Sequence, residues 1–135
     1  MNYDLLKKSL KKNKEVKVKL IGKSMVPILR EFDFIILKKP EKLKIGDIVI
    51  IKGKKEILAH RIILRHKKTF LIKGDNRKNF DGFYFKNDIF AKVKSSSKHN
   101  FETFLWKLFS FFIAIISLFI GSTFFTLNFI RKKFN

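Results

Sequence analysis

The pattern of apolar and polar positions divides the chain into a region of short strands and one long apolar segment. From Glu15 to Ile21, apolar residues alternate with lysines, which is the two-residue period of a strand with one buried face. Other short apolar runs lie between turn signals that contain Gly, Pro, Asn or Asp. These runs predict strands at Phe32–Leu37, Ile48–Ile51, Ile57–Leu64, Thr69–Ile72 and Ile89–Val93. The sequence therefore predicts a mainly β fold, a compact domain of short strands.

The segments between and before these strands have their own signals. Residues 3–13 predict a short amphipathic helix with leucines on one side and lysines on the other, which either lies on a membrane surface or caps the domain. Gly53–Lys55 predicts a hairpin turn, and Asn79–Asn87 predicts a Phe-rich, charged loop. Ser95–Ser97 predicts a flexible linker.

The long apolar segment predicts a transmembrane helix. Leu108 to Ile130 comprises 23 residues without a charge, bounded by Lys107 and by Arg131–Lys133. A helix of this length spans roughly 34 Å, enough to cross a hydrocarbon core of about 30 Å. The alternative is a buried core helix, but about 100 remaining residues are too few to enclose a helix that is apolar on every side. We expect a single-pass membrane protein with a C-terminal helix, and the side of the membrane that holds the domain stays open.

These signals give an expected domain organisation. An N-terminal helix covers residues 1–14, and a β domain covers residues 15–94. A linker, a transmembrane helix and a basic tail follow at residues 95–104, 105–130 and 131–135.

Composition narrows the chemistry and the partners. The chain has 31 Lys and Arg against 11 Asp and Glu, a formal net charge of +20, which favours anionic partners such as membrane lipid. Nucleic acid is not expected as a partner, because lysine is spread along the chain without an aromatic-basic motif or a recognition helix. Cysteine is absent, which excludes disulfides and thiolate ligands, and three histidines alone disfavour a metal site. We expect no cofactor.

Ser24, His60, Asp75 and Asp81 are the candidate chemical groups. Ser24 follows a predicted strand and lies between Gly22, which is expected to let the backbone approach closely, and Pro27. A serine there is ordinarily a turn residue. His60 lies on an apolar strand, where an imidazole is costly to bury unless it is hydrogen-bonded, and a backbone carbonyl could satisfy it.

Either of the two aspartates can reach His60 from the next loop, although only one can hold its ring. Asp75 lies in a Gly-Asp-Asn turn, where its side chain has a local role in stabilising the turn. Asp81 has no such local role and is our choice as the carboxylate that orients the histidine.

The order of the motifs is more specific than any one of them. Five ordered segments resemble the type I signal peptidase family, in the branch of the endoplasmic reticulum, archaea and some spore-forming bacteria where histidine replaces the lysine base. The resemblance covers roughly Val16 to Val93. The segments are Gly-x-Ser-Met-x-Pro at 22–27, Ile-Gly-Asp-Ile-Val at 45–49, His-Arg-Ile-Ile at 60–63, Lys-Gly-Asp-Asn at 73–76, and Asp81.

The resemblance implies a membrane-anchored serine endopeptidase that removes signal or leader peptides from exported proteins. It makes Ser24 the nucleophile, His60 the base and Asp81 the third member, while Asp75 is a supporting carboxylate. Gly46 and Asp47 belong to a segment that supports the fold. The preprotein would bind as an extended strand beside Glu15–Ile21.

Two other functions compete with this one. The first is a non-catalytic, membrane-tethered basic β module that binds anionic lipid or a protein partner. The second is a self-cleaving, repressor-like serine-lysine protease, which His60 disfavours because it stands where the lysine would be. Partner subunits and the physiological substrate are not specified by the sequence.

Overall fold

The structure, a computed structural model, describes residues 3–53 and 57–133. Helix α1 precedes a sheet of seven strands, and helix α2 follows it. The helices are α1 Tyr3–Lys12 and α2 Phe104–Lys133. The strands are β1 Glu15–Lys19, β2 Phe34–Lys38, β3 Ile48–Lys52, β4 Ile57–His66, β5 Thr69–Lys73, β6 Gly82–Phe85 and β7 Ile89–Ser96. All pairings are antiparallel, in the order β1-β2-β7-β3-β4-β5-β6, which confirms the mainly β fold.

Strand β3 lies in the middle of the sheet and is buried on both faces. Its four residues from Ile48 to Ile51 are all buried, which explains why this strand is continuously apolar instead of alternating. Ile48 and Ile50 pack into one hydrophobic cluster, and Val49 and Ile51 pack into a second. Successive side chains of a strand point to opposite faces, so the two clusters cover the two sides of the sheet.

Helix α1 caps the first of these clusters. Leu6 and Leu10 are only 4% and 3% exposed and belong to that cluster, whereas Leu5 is 67% exposed. Of the two alternatives for the amphipathic helix, the structure therefore shows the domain cap.

The loop expected at residues 79–87 contains an additional strand. β6 pairs with β5, with Phe85 opposite Thr69 and Gly82 opposite Ile72. Phe83 and Phe85 are 60% and 63% exposed and Tyr84 is only partly buried against the second cluster, so the segment has no fully buried apolar face that would have revealed a strand. Backbone pairing at the edge of the sheet holds it in place.

The prediction of a flexible linker at Ser95–Ser97 was also wrong. β7 continues to Ser96, and Ser95 and Ser96 pair with Ile36 and Ile35 of β2. The hydrogen bonds between strands use the backbone alone. A run of serines can therefore continue a strand when a neighbouring strand is there to pair with it. Strand β2 begins at Phe34, later than the expected Phe32, because Phe32 has a φ of 69°. The hairpin turn expected at Gly53–Lys55 lies partly outside the described residues.

Helix α2 is held at its first turn. The hydroxyl of Thr103 accepts a hydrogen bond from the N–H of Trp106 (3.4 Å), as an N-cap residue does. The Trp106 ring stacks on His99 with centroids 4.6 Å apart and contacts Phe101, which is part of the first cluster. The helix then runs three residues beyond the expected boundary at 130, and its stretch Phe104–Leu127 is long and apolar enough to cross a membrane.

The buried leucines of α1 yield a stability prediction. Leu10→Ala is expected to lower the free energy of unfolding by about 2–4 kcal/mol, because it removes buried methyl groups and leaves a cavity. Leu5→Ala on the exposed side of the same helix is the matched control, with an expected change within about 0.5 kcal/mol. Urea unfolding of the detergent-solubilised full chain measures both. Equal effects of the two substitutions would contradict the docking of α1.

Candidate active site

The turn that carries Ser24 is fixed by its neighbours on both sides. Gly22 has a φ of +100°, a conformation that side chains disfavour, while a Cβ there would meet nothing within 4 Å. Gly22 is therefore required for its backbone conformation, and the expected close approach at this position was wrong. Met25 and Leu29, 1% and 0% exposed, anchor the far side of the turn in the first cluster.

His60 lies between Ser24 and Asp81 and is fully buried. Its Nε2 is 2.9 Å from the Ser24 hydroxyl, and its Nδ1 is 2.6 Å from Oδ2 of Asp81. Strand β4 fixes the backbone of His60, which pairs with Val49 of the central strand. Both ring nitrogens of this buried imidazole are thus hydrogen-bonded by side chains from distant parts of the chain.

The two candidate aspartates have separate partners. Asp81 precedes β6, and its backbone N–H donates to the carbonyl of Ile72 (2.9 Å), so the side chain is directed from a fixed position. Asp75 instead forms a bidentate pair with Arg61, whose Nε and Nη2 lie 2.8 and 2.6 Å from its two oxygens. Asp81 is therefore the carboxylate beside the histidine, and Asp75 braces the adjacent residue.

The turn after β5 is fastened to the serine turn, and its Gly74 was missed as a site residue. The N–H of Asn76 donates to the carbonyl of Ser24 (2.8 Å), and its side-chain amide donates to the carbonyl of Lys23 (3.2 Å). A Cβ on Gly74 would lie 2.8 Å from the Ser24 carbonyl oxygen and 3.0 Å from Nε2 of His60. Only glycine leaves room here, and the one available signal was its place in the Lys-Gly-Asp-Asn motif.

Arg61 connects this site to Gly46 and to helix α2. Its Nη1 donates to the carbonyl of Gly46 (2.8 Å) and to the hydroxyl of Ser110 (3.0 Å). Gly46 has a φ of +92°, and a Cβ there would lie 2.9 Å from the backbone of Ser110. Asp47 forms an ion pair with the largely buried Lys92 at 2.7 Å. Gly46 and Asp47 thus hold the framework around the site and lie outside the Ser24–His60–Asp81 line.

Lys73 is a further buried cation that sequence reasoning did not select. Its side chain is 1% exposed, and its Nζ lies 3.3 Å from the carbonyl of Gly74 and 3.5 Å from the hydroxyl of Ser117 in α2. Burial lowers the pKa of Lys73, an effect that the negative charges of Asp75 and Asp81 partly oppose.

A cleft of about 310 Å³ opens beside Ser24. Its floor is apolar, formed by Ile35, Ile50, Ile57, Leu58 and Ala59. The end of β1 and the residues that follow it form one wall, and the cations Lys19, Lys23 and Arg77 also line it. Strand β1 pairs only with β2 in the described part of the sheet, so its outer edge is available for another strand.

The arrangement has the chemical components of nucleophilic acyl transfer. A serine hydroxyl contacts an imidazole that can accept its proton, and a carboxylate holds the other nitrogen of that imidazole. Within residues 3–53 and 57–133, no group of three His, Cys, Asp or Glu side chains is placed to hold a metal ion.

Comparison with known proteins assigns a family to the sheet region. The model of the family described as Peptidase S24-like matches residues 1–94, which include α1 and most of the sheet and exclude α2. No curated protein matches the sequence.

The Arg61–Asp75 pair yields a second stability prediction. Asp75→Asn is expected to lower the free energy of unfolding by about 3–5 kcal/mol, because it leaves a fully buried guanidinium without its counter-charge. The control Glu15→Gln breaks the exposed pair with Lys94 and is expected to change stability much less. Urea unfolding compares the two variants. A larger loss for Glu15→Gln than for Asp75→Asn would show that the buried pair does not brace the domain.

Proposed function

The chain belongs to the peptidase S24-like family, and on that premise we propose that it is a serine endopeptidase with Ser24, His60 and Asp81 as its catalytic residues. The observation that carries this proposal is the continuous hydrogen-bonded line from the Ser24 hydroxyl through both nitrogens of His60 to Asp81. The buried imidazole between these two partners has the position of a general base, and Asp81 has the position of the carboxylate that orients it.

The mechanism follows from the two contacts of the His60 ring, with Nε2 beside the Ser24 hydroxyl and Nδ1 beside Asp81. Nε2 of His60 takes the proton of Ser24 as its oxygen attacks a peptide carbonyl, and Asp81 stabilises the imidazolium that forms. The proton then passes to the leaving amine, and water hydrolyses the acyl-enzyme by the same route. The backbone N–H of Ser24 is the first candidate donor to the oxyanion, because Gly22 has no side-chain hydroxyl to offer.

The cleft supports an extended peptide as substrate. A chain that pairs with the free edge of β1 would run past Ser24 and direct alternate side chains toward the apolar floor of the cleft. The resemblance to histidine-base type I signal peptidases favours signal or leader peptides of exported proteins, with small residues at the first and third positions before the bond. We therefore propose signal or leader peptides as the substrate class.

The C-terminal helix supports membrane anchoring. Its stretch Phe104–Leu127 has the length and hydropathy of a single span, and the basic surface of the chain would favour anionic lipid. Anchoring would bring the active site close to substrates that are themselves membrane-inserted.

Ser24→Ala tests the proposed activity. The variant is expected to lose cleavage of a preprotein by about a thousandfold or more, because no other group replaces the nucleophile. Its recovery in the membrane fraction is expected to stay unchanged. Ser97→Ala, an exposed serine far along the chain, is the control and should cleave at the rate of the unmodified protein.

The same cleavage assay, with a vesicle-binding measurement beside it, distinguishes the peptidase from a non-catalytic module. Full activity of Ser24→Ala would refute the proposed nucleophile. Absence of cleavage by the unmodified protein, together with binding to anionic vesicles, would instead favour the basic β module.

Gly74→Ala tests the close packing of the site. The added Cβ must displace the Ser24 backbone as well as the flexible Arg77 side chain, and it also presses on His60, so kcat is expected to fall by about a hundredfold, the usual effect of misplacing a reacting group by roughly 1 Å. Gly74 itself does not line the cleft, so KM should change less than kcat. Steady-state kinetics on a fluorogenic peptide measures kcat and KM. The far-ultraviolet circular dichroism spectrum is the control for folding. Unchanged kcat in a folded variant would contradict the observed contact.

A further inference from the structure

One face of helix α2 carries small residues, spaced three or four positions apart. Ser110, Ala114, Ser117 and Gly121 form this small-residue stripe, and all four are buried. Their spacing of four, three and four residues keeps them on one side of the helix. The opposite side is open, with Phe119 67% exposed. The helix is therefore seated on the domain along the stripe.

Three contacts along the stripe reach residues adjacent to the proposed catalytic groups or to Gly74, which packs against Ser24 and His60. Ser110 accepts a hydrogen bond from Arg61, which follows His60 in the chain. Ser117 lies 3.5 Å from Nζ of Lys73, which precedes Gly74. The Phe80 ring, next to Asp81, lies so close to Gly121 that a Cβ there would be 2.3 Å from its Cζ.

The buried cations show that this seating matters to the domain. Arg61 and Lys73 are cross-strand partners in β4 and β5 and are 0% and 1% exposed. An ammonium group is costly to bury, and part of the polar surroundings of these two side chains comes from the stripe serines. If the helix left the sheet, both side chains would become accessible to solvent, and the turns on either side of the site would lose a wall.

We propose that α2 is a positioning element of the active site. Its seating along the small-residue stripe holds His60 and Asp81 in their positions relative to Ser24. This inference rests on the proposed function. The helix then has two roles that compete along the stripe: seated on the sheet it sets the geometry of catalysis, and inserted in a bilayer it would anchor the protein. A helix that served only as a tether would leave kcat unchanged when it is displaced.

The experiment displaces the helix with side chains added to the stripe. Gly121→Leu and Ala114→Phe of the full chain place bulk against the sheet, and Ile120→Leu is the control because Ile120 is 43% exposed on the same helix. Seating is measured by the rate at which an N-hydroxysuccinimide acetate ester modifies Lys73, read by mass spectrometry. Activity is measured as kcat and KM on a fluorogenic peptide with alanine at the first and third positions before the bond.

The proposal predicts that kcat falls as Lys73 becomes reactive. In the displaced variants we expect a loss in kcat of about tenfold to a hundredfold with KM within about twofold, and no change in Ile120→Leu. Phe80→Ala added to Gly121→Leu makes room for the leucine and is expected to restore protection of Lys73 and part of kcat, which an unfolded variant could not do.

The contrary outcomes are equally distinct. Unchanged kcat in a variant with reactive Lys73 would overturn the proposal, as would a loss of kcat with Lys73 still protected. If neither substitution exposes Lys73 or alters kcat, the helix is not closely seated, and the proposal also fails. Ser24→Ala in the same assay separates the two levels of inference, because full activity of that variant would refute the proposed function itself.

Discussion

The structure depends on the need to satisfy both nitrogens of a fully buried imidazole. His60 has no access to water, so each ring nitrogen needs a partner from the protein, and each partner comes from a different segment. Ser24 approaches from a turn whose far side is anchored in the core, and Asp81 approaches from the residue that leads into β6. The sheet order places β4 between the strands that carry or adjoin these segments. The need for two hydrogen bonds thus fixes three distant parts of the chain relative to one another.

The outer layer around this line of residues is also polar and buried. Arg61 and Asp75 neutralise each other, and Asn76 ties their turn to the carbonyl of Ser24. Arg61 directly follows His60 in β4, whereas Asp75 and Asn76 lie in the turn after β5. The short motif His-Arg in β4 therefore has two separate roles, one residue facing the serine and the next facing the carboxylate of Asp75 and helix α2.

Much of the fold was predictable because alternation and continuous apolar runs report burial directly. The strands that line a hydrophobic cluster, such as Ile48–Lys52 and Thr69–Lys73, were found within one or two residues of their ends. Strand β6 and the end of β7 were not, because Phe83 is exposed and Ser95 and Ser96 pair only through the backbone. The local sequence pattern indicates which side chains are buried, whereas these segments are strands because their backbone pairs with a neighbouring strand.

The site residues were likewise predictable only in part. Ser24, His60 and Asp81 were proposed from the order of their motifs, and the structure brings these three side chains into contact. Gly74, Lys73 and Phe80 were not selected, since their importance lies in the space around them or in partners more than 40 residues away. Gly22 was selected for the wrong reason, because a φ of +100° cannot be distinguished from close packing in a sequence.

The half-covered helix also has a consequence for any encounter with lipid. Between Ser110 and Gly121 the helix advances about 17 Å, more than half the thickness of a bilayer core, with the sheet along one side. Lipid cannot surround this stretch while Arg61 and Lys73 still lie against it, because buried cations at that depth are strongly disfavoured. The domain and the bilayer are therefore competitors for the same helical face, and complete insertion of this stretch requires it to separate from the sheet.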